Sequence, residues 1–164
     1  MNLLVTDSSV LIDLERADLV SAAFTLPCSF AVPDILYANE LASAGGPALL
    51  DLGLRVEPLE SSEMSTGLAL RRARPGLSVP AAFGLVLAEA RGWAVLSVDD
   101  LVHHEAAARG IECCGLLWMF DELEKSGSCP LALLAAGLTT LNTAKRCRLS
   151  ARDVAARLGR YRAE

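Results

Sequence analysis

The residues of this chain best suited to chemistry are acids. Asp7 follows the short apolar run Asn2–Thr6, and Asp99-Asp100 follow a second run, Ala94–Val98. Glu40 lies inside a helical pattern that opens after Pro33. In an open parallel sheet the ligand crevice lies outside the carboxyl ends of the strands, which is where Asp7 and Asp99-Asp100 would stand. Carboxylates that converge on one crevice repel each other unless a hard divalent cation with oxygen ligands, Mg²⁺ or Mn²⁺, sits between them. Such an ion polarises a phosphoryl oxygen and supplies hydroxide from water, so the chemistry to expect is metal-assisted phosphodiester hydrolysis with no protein nucleophile. Each acid also has a plainer use: Asp7, Asp99 or Asp100 can cap the helix that follows it, and Glu40 can be a solvated helix residue.

The elements that must hold these acids alternate. Strand Asn2–Thr6 leads into a helix through Val10, Leu11 and Leu14, and Ser29–Val32 is a second strand stopped by Pro33. A helix over 34–44 ends at Gly45-Gly46-Pro47, and a short helix near 48–52 precedes a strand at 55–59. Ser61-Ser62-Glu63 offers caps for a helix through Arg74; Ser78, with Pro80 in the first turn, opens another to about Arg91. Strand 94–98, helix 101–109, strand 111–114 and helix 116–125 follow, then two helices at about 130–144 and 150–161. Strands alternating with helices predict an α/β domain with a mainly parallel sheet covered on both faces. Residues 1–128 form that unit, and 129–164 a helical extension packed on it. The helix at 130–144 is apolar around most of its circumference, which requires burial by the domain or by a partner.

Composition narrows the classes. The 164 residues are 52% hydrophobic, enough for one domain with a sizeable core. No apolar run approaches the roughly 20 residues that span a bilayer, and the N-terminus lacks a basic leader, so a cytoplasmic protein with no membrane role is expected. Five cysteines without CxxC spacing read as buried hydrophobes. Residues 1–144 carry 8 basic and 18 acidic side chains, and residues 145–164 carry 7 and 2. The basic tail (Lys145, Arg146, Arg148, Arg152, Arg157, Arg160, Arg162) and the cluster Arg71, Arg72 and Arg74 are candidates for phosphate contact, although solvated helix faces explain each cluster more simply. His103-His104 are the only histidines and point to different sides of a helix, which excludes a two-His metal site. Ser8 and Ser9 lack a GxSxG context, and the only lysines, Lys125 and Lys145, do not follow a suitable strand for a phosphoacceptor site.

Together these residues resemble the PIN domain, a fold of small metal-dependent nucleases, over nearly the whole chain. LLVTDSSVLIDLERADL (3–19) is similar to the family's opening strand with its first acid, Asp7, and the supporting Ser9. FAVPDILYANEL (30–41) resembles the segment that carries the second acid, Glu40. LSVPAAFGLVLAEARGWAVLSVDDLVHHEAAARGIE (77–112) resembles the later segments, with Asp99 as last acid and Ser97 as the hydroxyl residue before it. The resemblance implies a three-layer α/β/α sandwich with extra C-terminal helices, and Asp7, Glu40 and Asp99 as catalytic metal ligands for Mg²⁺ or Mn²⁺. The ending, GLLWMFDELEKSG (115–127) followed by two helices, is similar to the VapC-like toxin ribonuclease branch, which implies RNA as substrate, an antitoxin protein as partner and a homodimer.

One position departs from the family pattern. The third acid would stand where this chain has Ala81. With Ser78 as N-cap, position 81 is the third helical residue, where free amides and the helix dipole favour a carboxylate. Glu89, eight residues on, lies about 12 Å down the helix and cannot substitute. Asp100 is the nearest compensating acid. A site short of one ligand holds a second metal poorly, and a module of this fold that binds RNA or protein without cleaving is the alternative.

Overall fold

The computed structural model describes residues 2–144 and 149–163. Strands β1 (Asn2–Thr6), β2 (Cys28–Pro33), β3 (Arg55–Glu57), β4 (Ala94–Leu96) and β5 (Cys113–Cys114) form one sheet in the order β3-β2-β1-β4-β5. Every neighbouring pair is parallel; Leu4 lies between Phe30 and Ala94, and Thr6 beside Leu96. The sheet is therefore wholly parallel, as runs of buried aliphatic residues with helical crossovers require.

The chain first walks outward from β1. Helices α1 (Ser8–Arg16) and α2 (Val20–Ala23) lead to β2; α3 (Asp34–Leu36), a π-helical turn (Tyr37–Leu41) and α4 (Gly46–Leu52) lead to β3. Helices α5 (Ser61–Ala73) and α6 (Val79–Arg91) then carry the chain back across β1 to β4, and α7 (Asp100–Ala108) leads to β5. The strand order thus reverses between β1 and β4, and the crevice at such a switch point is where ligands bind in open α/β sheets. Helices α8 (Leu116–Ser126), α9 (Leu131–Ala144) and α10 (Ala151–Tyr161) complete the chain.

Alternation along the strands divides the interior into two layers. Leu4, Phe30, Val32 and Leu96 face a core shared with Leu11 and Leu14 of α1, Met119 and Phe120 of α8, and Leu134, Leu138 and Leu141 of α9. Val5 and Val95 face the other core, with Leu85 of α6 and Val102 and Ala106 of α7. A three-layer α/β/α sandwich results. The apolar α9 is buried by its own domain: a Cβ added to Gly137 would lie 2.9 Å from the Ala17 carbonyl oxygen, so α9 sits directly on the end of α1. Val154 and Tyr161 anchor α10 in the same core. Among the described residues no helix is long and apolar enough to cross a membrane.

Several boundaries differ from expectation. The helix expected over 34–44 breaks into α3 and the π-turn, and α2 carried no readable signal. Pro58, which has no amide to donate, follows β3 and ends it at Glu57. Helix α5 is capped by Glu60, which accepts from the Glu63 amide while Glu63 accepts from the Glu60 amide, rather than by Ser61 or Ser62. Strand β4 ends at Leu96 because Ser97 turns: its hydroxyl accepts from the Asp99 amide at 3.2 Å. In the basic tail, Arg157 bonds Asp121 at 2.9 Å and Arg160 bonds Glu124 at 2.7 Å, so these two arginines clamp α10 to α8 instead of facing phosphates. Lys145, Arg146, Cys147 and Arg148 lie outside the described residues.

Candidate active site

Asp7 enters the crevice as β1 gives way to α1. Its Oδ1 accepts from the Val10 amide at 3.0 Å, the N-cap contact, and its Oδ2 accepts from the Ser97 hydroxyl at 3.4 Å. On the other side of the switch point Asp99 caps α7, its Oδ1 accepting from the Leu101 amide at 2.8 Å. Ser97, only 1% exposed, ties the two acids together: its hydroxyl donates to Asp7 and accepts from the Asp99 amide. Burial pushes the Asp7 carboxyl above the usual carboxylate range; the Val10 amide and the Ser97 hydroxyl oppose this, and the nearby Asp99 charge adds to it. No cation is among the groups that shift it. A buried carboxylate facing a second acid is the electrostatic setting that a cation relieves.

Glu40 stands on the π-turn, exposed, and accepts a hydrogen bond from the Ser8 hydroxyl at the start of α1. A π-turn re-aims side chains relative to an α-helix, and here it presents Glu40 toward the residue next to Asp7. The hydroxyl that reaches an acid is thus that of Ser8, whereas Ser9 contributes its backbone amide to Asp7. In the sequence Ser8 is weighed only as a nucleophile; once Asp7 is known to cap α1, the adjoining Ser8 is the hydroxyl at the crevice mouth. His103 was missed in the same way. Its Nε2 lies 2.9 Å from the Ser97 carbonyl oxygen and, as donor, holds the backbone of the residue that links the acids.

Ala81 occupies the place inferred from the cap. It is the third residue of α6, its amide donates to Ser78 Oγ at 3.1 Å, and it lines a small cavity of about 10 Å³ with Asp7, Ser97 and Gly84. A side chain at 81 therefore shares the crevice with Asp7. Asp100 lies instead in the first turn of α7, lining a separate cavity with His103, Gly115 and Leu116. Arg74 bonds Glu105 of α7 at 2.8 Å, Arg72 is exposed, and Arg71 is half-buried with its Nε unpartnered. Burial pushes the Cys113 thiol up to about 12, which removes thiolate chemistry from the strand end beside the crevice.

Among the described residues no group of three or more His, Cys, Asp or Glu is arranged to hold a metal ion. The pair that Ser97 bridges does fit one hard divalent ion. Each carboxylate has one oxygen on a helix amide, and Mg²⁺ commonly keeps most of its waters and takes only one or two protein carboxylates. The residues present do not make a two-ion clamp.

A family model described as PIN domain matches residues 3–162. The chain belongs to the PIN domain family. Among solved structures it is similar to a PilT N-terminus domain protein from Sulfolobus solfataricus P2, at 13% identity over 76% of this chain and 92% of that one, with a TM-score of 0.49. It is also similar to a toxin-antitoxin complex from Klebsiella pneumoniae, at 17% identity over 58% of this chain and 86% of that one, with a TM-score of 0.42. No curated protein matches it. Of the acids expected from the sequence, Asp7 and Asp99 are linked through Ser97 and Glu40 is bonded to Ser8, while Ala81 lines the same cavity as Asp7.

Proposed function

We propose that this PIN domain is a divalent-metal-dependent ribonuclease, similar to the toxin of a toxin–antitoxin pair, working with a site weakened by Ala81. The observation that carries the reading is the Asp7–Ser97–Asp99 link across the switch point, with Asp7 raised by burial beyond what the Val10 amide and the Ser97 hydroxyl offset. Asp7 and Asp99 would hold Mg²⁺ or Mn²⁺, which when bound supplies Lewis acidity toward a phosphoryl oxygen and a more acidic water. Ser97 fixes the spacing of the two acids and His103 fixes Ser97. Glu40, hydrogen-bonded to Ser8 at the open side of the crevice, orients water or a sugar hydroxyl there. Loss of one acid costs transition-state stabilisation, with each 1.36 kcal/mol equal to a factor of about ten in rate. The toxin reading brings with it an antitoxin partner, a second copy of the chain and a cytoplasmic location.

The alternative is a PIN-like module that binds RNA or a protein partner without cleaving, and Ala81 in the crevice favours it. Cleavage of a mixed RNA panel in Mn²⁺ separates the two. The nuclease reading expects slow cleavage by the wild-type protein, abolished by chelation and by Asp7→Asn or Asp99→Asn. Inert wild-type protein that gives no heat on Mn²⁺ titration refutes it and leaves the binding module.

A further inference from the structure

We infer that the cavity between the π-turn and the start of α6 is a nucleobase pocket that selects the residue beside the cleaved phosphate; this rests on the ribonuclease reading above. The cavity holds about 200 Å³ and adjoins the acid crevice, because Pro80 lines both and Glu40 stands on its edge. Its walls are Ile35, Val79 and Pro80, with the buried ring of Phe83 beneath. No Lys or Arg lines it and Glu40 does, so it repels a phosphate and suits a flat, uncharged ring. Two polar groups stand at that wall. Asn39 is exposed, and its side-chain amide is engaged in no hydrogen bond among the described residues. Glu40 has one oxygen on Ser8 and the other free.

The π-turn is what places Asn39 and Glu40 at this cavity together, as such turns often do at functional sites. Val79 is 40% exposed, an apolar side chain left in water at the mouth. The Asn39 amide both accepts and donates, whereas the Glu40 carboxylate only accepts, so the pair together favours an exocyclic amino group, which adenine and cytosine carry and uracil lacks. Uracil also sets carbonyl oxygens against Glu40. The pocket therefore discriminates amino bases from uracil, and a nucleotide seated in it puts its own or the next phosphate over Asp7 and Asp99.

Fluorescently labelled tetraribonucleotides of A, C or U, titrated in Ca²⁺ and followed by anisotropy, test this with wild type, Asn39→Ala and Val79→Trp. Both positions are exposed, and melting curves check that the variants fold. Wild type should bind the A and C oligomers about three- to tenfold tighter than U, the worth of one net hydrogen bond. Asn39→Ala should bring the three within about twofold, and Val79→Trp, which fills the mouth, should weaken A and C toward the U value. Equal affinities in wild type, or selectivity that survives both substitutions, overturns the pocket while leaving the ribonuclease reading intact. If no oligomer binds and the RNA panel is not cleaved, the ribonuclease reading falls and the pocket with it.

Discussion

Ala81→Asp restores a carboxylate where the PIN pattern has one, and its consequences can be worked from the crevice. The backbone need not move, because position 81 is already the third residue of a helix capped by Ser78 at 3.1 Å and is partly exposed. A carboxylate there gains about 0.3–1 kcal/mol from the free amides and helix dipole. Opposing this is Asp7, which lines the same cavity and is already pushed up by burial and by Asp99. Two unit charges about 6 Å apart at an effective dielectric of about 20 repel by about 3 kcal/mol. Without a divalent ion the variant should therefore lose about 2 kcal/mol, a fall in Tm of about 4–8 °C for a chain of this size. Mn²⁺ reverses the sign, since an ion at about 100 times its Kd stabilises the folded state by about 2.7 kcal/mol. The third acid should lower that Kd relative to wild type. Differential scanning fluorimetry in EDTA and in Mn²⁺, with calorimetric titration of the same samples, reads both arms. A variant that melts with wild type in EDTA and shows no larger Mn²⁺ shift would refute the placement of position 81 in the charge field of Asp7.

Asp7→Asn keeps an N-cap oxygen but removes the penalised charge; because the folded-state pKa is raised, wild-type stability falls as pH rises through it, whereas both proteins are neutral at this position below the usual carboxylate range. Urea denaturation should show the variant more stable at pH 7 and the difference gone near pH 3. Gly137→Ala sets a Cβ 2.9 Å from the Ala17 carbonyl oxygen and 3.1 Å from Leu19 Cδ1, so overpacking of about 1–3 kcal/mol should outweigh about 1 kcal/mol of helix propensity; a Tm lower by about 2–4 °C is expected, and a rise would show that α9 can lift from α1. Asp121→Asn removes the carboxylate partner of Arg157 and one of the two that Arg160 has, leaving Arg160 on Glu124, and the midpoint in urea should fall by an amount equal to about 1 kcal/mol that shrinks in high salt.

The sheet was readable because β1, β2 and β4 are short aliphatic runs soon followed by an acid or a proline, and each expected strand start or end lies near an observed one. What the sequence hid was local competition. The 34–44 pattern is helical in period, yet the chain inserts a π-turn at Tyr37–Leu41, and that shift decides that Glu40 meets Ser8. Glu60 as cap was hidden because serines next to it are better caps by type; the reciprocal bond with Glu63 outweighs that preference. The arginines of α10 looked available because their acidic partners lie 36 residues away on α8. Spacing singled out Asp7, Glu40 and Asp99 as candidates, but not that Ser97 links two of them, since it reaches Asp7 across 90 residues of chain.

Capping and the proposed metal binding are compatible uses of the same two side chains. Asp7 and Asp99 each place Oδ1 on the amide that follows, which sets the rotamer and leaves Oδ2 turned away from the helix; for Asp7 that second oxygen meets Ser97. A helix N-terminus thus orients a carboxylate for a ligand as well as satisfying its own amides. At α6 the same device has been separated from its function. Ser78 supplies the cap from outside the crevice, so position 81 inside it has no capping duty, and alanine there forgoes only the gain of about 0.3–1 kcal/mol that a carboxylate would take from the helix dipole. Asp7 and Asp99 could not be exchanged as cheaply, because alanine at either would uncap a helix at a cost of about 1 kcal/mol. On the proposed reading, the acid absent at position 81 is therefore the one whose absence costs the fold least, and its chief effect is on the charge balance of the crevice.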